Sequence, residues 1–140
     1  MQENPQAQSS ALVQTYYTAF NNHDAQGMLA CLSDDIAHDV NQGGRRTGKK
    51  AFEEFCQHMD KCYSEQLEDL VFMVSADGRH AAVEFLVNGV YKSTDTDLPP
   101  ATGQTYRLPA GAFLDIANGK ITRVTTYYNL QDWLRQVGAA

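Results

Sequence analysis

The sequence is short of most features that announce a chemistry. Three cysteines, Cys31, Cys56 and Cys62, form no CxxC pair, which argues against a disulfide framework or a cysteine zinc site. The histidines His23, His38, His58 and His80 fall in none of the HxH, HxxxH or HExxH spacings, so no metal is expected. The paired glycines Gly43-Gly44 belong to neither a G-x-G-x-x-G motif nor a P-loop, and no cofactor is expected. No Ser or Cys stands on a nucleophile elbow. No apolar run approaches the roughly 20 residues of a membrane span. The opening MQENPQAQSS lacks the basic and apolar regions of a signal peptide. With an odd number of thiols, these absences point to a cytoplasmic protein that has no membrane partner.

What is present describes one globular domain. Hydrophobic residues make up 43% of the chain and charged residues 20%, proportions that support a packed core. A loose tail is expected over 1–9 and a single domain over 10–140. The net charge of −6 repels phosphate backbones, so nucleic acid is not an expected partner. Arg45, Arg46, Lys49 and Lys50 form the one basic cluster. It reads as a solvated turn, with an anionic ligand or partner carboxylate as the lesser alternative.

Apolar residues recur at helical spacing from Ser10: Leu12, Val13, Tyr16, Tyr17, Ala19 and Phe20. Asp24 can cap a shorter second helix carrying Met28, Leu29 and Leu32, which SDD ends. Ile36 to Asn41 reads as a short strand entering the Gly43-Gly44 turn. A third helix starts near Gly48 with Thr47 as its cap, and Phe52, Phe55, Cys56, Met59, Cys62 and Tyr63 form its stripe. After Glu65 the period becomes two. LEDLVFMVSA and HAAVEFLVNGVYKS flank a hairpin turn at Asp77-Gly78, and Asn88-Gly89 is either a second turn or a bulge in a long strand. DTDLPPATG is a loop, two further strands meet at Asn118-Gly119, and LQDWLRQV closes the chain as a short helix. Helices first and antiparallel strands after define an α+β fold with the helices on one face of a sheet. A curved sheet folded over an amphipathic helix leaves a gap for a small ligand.

With these elements in order, the segments HDVNQGGRRTGKKAFEEF, ADGRHAAVEFLVNGVY, TDTDLPPATGQTYRLPAGAF and GKITRVTTYYNLQDW resemble the SnoaL-like and ketosteroid isomerase-related branch of the nuclear transport factor 2-like (NTF2-like) fold. The resemblance runs from Ala11 to Val137. It implies a cone, a strongly curved and mostly antiparallel sheet wrapped around the first helix, with two further helices and a short terminal one. It also implies a homodimer, and an isomerase- or cyclase-type enzyme that moves a proton on a small hydrophobic carbonyl compound. The alternative is a non-catalytic protein of the same fold, either binding a small hydrophobic molecule or serving as a dimeric scaffold.

Ketosteroid isomerase works with an aspartate base and an oxyanion hole made of a tyrosine and a protonated aspartic acid. On the resemblance, Asp39 takes the base slot and Tyr16 the tyrosine slot, while the second acid slot falls on Gly111. An ungapped match puts Val40 in the base slot. Asp39 is preferred because a loop absorbs a deletion more readily than a strand absorbs a register slip. The plainer reading of Asp39 is a carboxylate paired with Arg45 or Arg46 across the turn. His38 is a further catalytic candidate, but strand neighbours point to opposite faces, so His38 and Asp39 do not both enter one cavity unless the strand is irregular there. Asn41, Phe20, Phe55, Met59, Tyr91, Tyr127 and Trp133 are the expected ligand contacts.

Overall fold

The computed structural model describes residues 4–40 and 43–138. Along them run α1 (Pro5–Asn21), α2 (Ala25–Ala30), β1 (Leu32–Val40), β2 (Arg45–Thr47), α3 (Lys49–Cys62), β3 (Tyr63–Val74), β4 (His80–Tyr91), β5 (Thr105–Ala117), β6 (Lys120–Tyr128) and α4 (Leu130–Val137). The strands form one curved, open sheet in the order β2-β1-β6-β5-β4-β3. β1 runs parallel to β6, and the other pairings are antiparallel. This is the α+β fold that the pattern gives and the cone that the resemblance implies.

The inner face of the sheet carries Phe85, Val87 and Tyr91 of β4, Tyr106, Leu108 and Leu114 of β5, and Val124 of β6, all buried. α1 lies against that face and buries Val13, Tyr16 and Tyr17. Each large apolar side chain buried this way contributes about 1.5–3 kcal/mol relative to exposure. Among the described residues no helix is long and apolar enough to cross a membrane.

The chain departs from the pattern in four places. First, α1 begins at Pro5 rather than Ser10, so the stretch expected as a tail over 1–9 is helical from Pro5 onward. Asn4 accepts from the Ala7 N–H at 2.7 Å, and Pro5 sits in the first turn, where a missing N–H costs nothing. Ser9 is buried there and donates to the Gly78 carbonyl. These are polar anchors, and apolar periodicity does not register them. Second, β1 begins at Leu32, and its pairing with β6 slips between Leu32 and Ala37. Third, Arg45–Thr47 folds back on β1 as an edge strand, in the register His38↔Arg46 and Asp39↔Arg45. Thr47 therefore ends a strand, and Gly48 at φ 95° precedes α3 without a side-chain cap. Fourth, β4 passes straight through Asn88-Gly89, with neither a turn nor a bulge.

A bulge does occur in β3, where the register slips between Glu68 and Val71 and Asp69 adopts φ 54°. Before it, Tyr63, Glu65 and Leu67 point inward. After it, Leu70, Phe72 and Val74 join the core, and Val71 and Met73 are left half-exposed outside.

Candidate active site

Between the inner face of the sheet and the helices lies a cavity of about 520 Å³. α1 supplies Tyr16, Tyr17 and Phe20, α3 supplies Phe52, Phe55 and Met59, and α4 supplies Trp133. Polar groups interrupt this largely aromatic wall at two ends.

The first end is the β1–β2 hairpin. Alternation turns His38 and Val40 inward and Asp39 outward. Arg46, paired with His38 across the strands, also lines the cavity, its guanidinium carbon 4.7 Å from the centre of the Phe55 ring. The His38 ring packs edge-on to Phe52 at 4.9 Å and Phe55 at 4.6 Å. Burial and the Arg46 charge push its pKa down to about 4, against the pull of Asp39, so the imidazole is neutral at neutral pH. Among the described residues, His38 Nδ1 and Arg46 Nη1 are buried with no hydrogen-bond partner.

This neutral imidazole has a measurable consequence. An unfolded histidine takes up its proton near about pH 6.5, whereas folded His38 resists protonation down to about 4. Between those values the unfolded state binds more protons, so stability falls as pH drops through the window. The urea midpoint is expected to fall more between neutral and mildly acid pH in the wild type than in His38→Gln. Equal falls would contradict the assignment.

The second end spans three strands. Glu65, Gly89 and Tyr106 are successive cross-strand neighbours on β3, β4 and β5. A Cβ at position 89 would lie 2.3 Å from Tyr106 Cζ. Glycine thus lets the Tyr106 ring cross β4 and donate its hydroxyl to Glu65 Oε2. Burial raises the pKa of Glu65, with the Tyr106 hydrogen bond opposing. Nearby in the cavity wall, Asp95 accepts from Tyr63 Oη and bonds His58 Nε2, each at 2.7 Å. Burial works to raise the Asp95 pKa, but these two bonds hold it below the ordinary carboxylate value. His58 Nε2, Cys62 Sγ and an Asp95 oxygen lie within 4.8 Å of one another. Histidine spacing alone does not disclose that mixed donor set. Its imidazole is already bonded to Asp95, and burial and Asp95 keep the Cys62 thiol protonated.

Of the residues singled out by sequence, Tyr16, His38, Phe20, Phe55, Met59 and Trp133 line the cavity. Asp39 does not. It lies on the outer face, where Arg45 donates to its two oxygens at 2.8 and 3.0 Å and Thr125 adds a bond at 2.7 Å. The Arg45 bonds above all hold its pKa down to about 2, so Asp39 is an ion-paired surface carboxylate and not a base. Tyr127 also faces outward, half-exposed against Phe113. Tyr91 is fully buried behind the wall, stacked on Tyr63 and bonded to the Pro99 carbonyl at 2.7 Å. Gly111 is paired with Tyr127, and its inward neighbour Ala110 is the residue that faces the cavity, so the absent second acid leaves no gap in that wall. Asn41 lies outside the described residues.

The cavity groups Glu65, His58 and Asp95 escape a reading by motif. For Glu65 the signal is present in YSEQL: Tyr63, Glu65 and Leu67 share one face of a strand, and a carboxyl on an apolar stripe is the anomaly.

The open cone and its internal cavity define an NTF2-like protein. Residues 13–124 match the SnoaL-like domain, and the chain belongs to that family. A provisionally assigned polyketide cyclase of Xanthomonas campestris pv. campestris is 50% identical, with 96% of this chain and 100% of that one covered and a TM-score of 0.93. Another with the same provisional assignment, from Pseudomonas putida, is 54% identical over 93% of this chain and 98% of its own, with a TM-score of 0.92. A provisionally assigned ketosteroid isomerase of Kribbella flavida is 26% identical over 90% and 81%, with a TM-score of 0.64. No curated protein matches the chain.

Proposed function

We propose that the protein is an acid–base enzyme of the isomerase or cyclase type, acting without a cofactor on a small, largely apolar carbonyl compound held in the cavity. The observation that carries this reading is Glu65, a carboxyl with a raised pKa set into an apolar wall beside a tyrosine donor. Desolvation makes such a carboxylate a stronger base than it is in water. Taking the proton from the carbon next to a carbonyl puts that proton on Glu65 and the electron pair on the carbonyl oxygen. With an unsaturated ketone, returning the proton to the γ-carbon of the dienolate isomerises the substrate. With a second carbonyl in reach, attack by the enolate carbon closes a ring, and the new alkoxide takes the proton back from Glu65. Tyr16, whose phenol burial keeps protonated, stands in the same cavity as a donor for the enolate oxygen. Similarity to provisionally assigned polyketide cyclases supports the reading.

The test is solvent deuterium exchange at the α-carbon of a panel of compact aryl ketones such as 2-tetralone, followed by proton NMR. Exchange above the buffer rate is expected. Binding without exchange across the panel would reassign the protein as a non-catalytic site for small hydrophobic molecules.

The proposal includes a homodimer formed through the outer face. Phe113, Tyr127, Val71 and Met73 are each about half exposed there, and the ion pairs Asp39–Arg45 and Arg107–Glu68 add charges of both signs. Such a surface suits a self-complementary two-fold contact. Sedimentation velocity at micromolar concentration is expected to show a dimer for the wild type and a monomer for Phe113→Glu, and a monomeric wild type removes this part. The compartment we propose is the cytosol, where the free thiols of Cys31, Cys56 and Cys62 stay reduced.

A further inference from the structure

Arg46 and His38 are two cavity groups that the proposed proton transfer leaves unused. They are partners in the β1–β2 register and share Phe55 as a wall. Each keeps a buried nitrogen without a partner among the described residues, Arg46 Nη1 and His38 Nδ1. A buried donor left unmade is a standing cost to the fold, and a ligand that completes it removes that cost.

The charges around the hairpin are unequal. Arg45 is neutralised on the outer face by Asp39, and among the described residues no ion pair includes Arg46. Its guanidinium lies against an aromatic ring in an apolar cavity, where a compensating charge is worth more than at the surface. His38 beside it is uncharged and offers a hydrogen bond without adding a second cation. The carboxyl groups of the cavity stand elsewhere. Glu65 is on β3, Asp95 in the β4–β5 connection and Asp60 in the last turn of α3, while β2 precedes the first turn of α3 and is at the other end of the sheet order from β3.

From this juxtaposition we infer that the hairpin end of the cavity is an anion subsite, in which Arg46, with His38 beside it, holds the carboxylate of an apolar keto acid. The inference rests on the cavity being the substrate site, and it narrows the substrate class from neutral ketones to acids. One guanidinium fork matches the two oxygens of a carboxylate. The surrounding wall of Phe52, Phe55 and Met59 suits a hydrocarbon body and offers no further cations for a doubly charged phosphate. A substrate anchored at Arg46 directs its other end across the cavity, toward the walls that carry Glu65.

Calorimetric titration of the full chain with 2-naphthoate and its neutral counterpart 2-naphthamide tests the inference. The wild type is expected to bind the carboxylate at least about tenfold more tightly than the amide. Arg46→Met is expected to abolish that preference and keep amide binding, with Arg46→Gln as a second variant if Met does not fold. Arg107→Met, which removes a cation from the outer face, is expected to keep the preference. Equal affinities in the wild type, or a preference that survives loss of Arg46, overturns the subsite and leaves the cavity intact as a binding site. Failure of both compounds to bind overturns the subsite together with the reading of the cavity.

Discussion

Glu65→Gln is expected to slow ketone deuterium exchange by about two to four powers of ten, the usual contribution of a positioned general base. Glutamine keeps the length and volume of the side chain, and its carbonyl oxygen still accepts from Tyr106, so the fold and ligand binding are expected to persist. What is lost is the site that receives the proton. The wild-type rate is expected to rise with pH through the Glu65 pKa, which burial places above the ordinary value of about 4.3. Glu65→Gln is expected to lose that limb of the profile. An undiminished rate in this variant removes Glu65 from the mechanism. Loss of the rate in His38→Gln instead would transfer the role of base to the imidazole.

Gly89→Ala is expected to destabilise the protein although it adds a single methyl group to a strand. The new Cβ would stand 2.3 Å from Tyr106 Cζ and 2.5 Å from its Cε2 and Oη. Neither β4 nor the ring sits at a flexible end, because Tyr106 packs edge-on against Trp133 and is buried. Overpacking of this kind costs about 1–3 kcal/mol, and separating the buried tyrosine from Glu65 adds about 1–3 kcal/mol. For a chain of this size the two together lower Tm by roughly 7–20 °C. Tyr106→Phe removes the hydrogen bond without the clash and is expected to lose less. A Gly89→Ala melting curve that overlays the wild type would show that the ring does not cross β4.

The order of elements and the helix faces are readable because burial imposes a period on them. Tyr16 and Phe20 of α1, Phe55 and Met59 of α3 and Trp133 of α4 are found this way, and all line the cavity. Strand parity at β1 is harder, since His38, Asp39 and Val40 mix polar and apolar types. The better guide is local. Ile36 is fully buried and shares its parity with His38 and Val40, so the apolar pair marks the inner face more reliably than the spacing of a family motif. Asn88-Gly89 misleads for a different reason. The dipeptide favours a tight turn, but here the glycine is needed for clearance beneath Tyr106, a contact between residues 17 positions apart in sequence. β2 is three residues long and carries two arginines, too short to show a period.

The slip in β3 between Glu68 and Val71 divides one strand into two lengths that alternate independently. The first length carries Glu65 of the cavity wall, and the second carries part of the exposed apolar patch. An insertion or deletion at the bulge would turn the second length over without moving the first. Cavity wall and patch are therefore separable units of variation on a single strand, so either can change in a lineage while the other is kept.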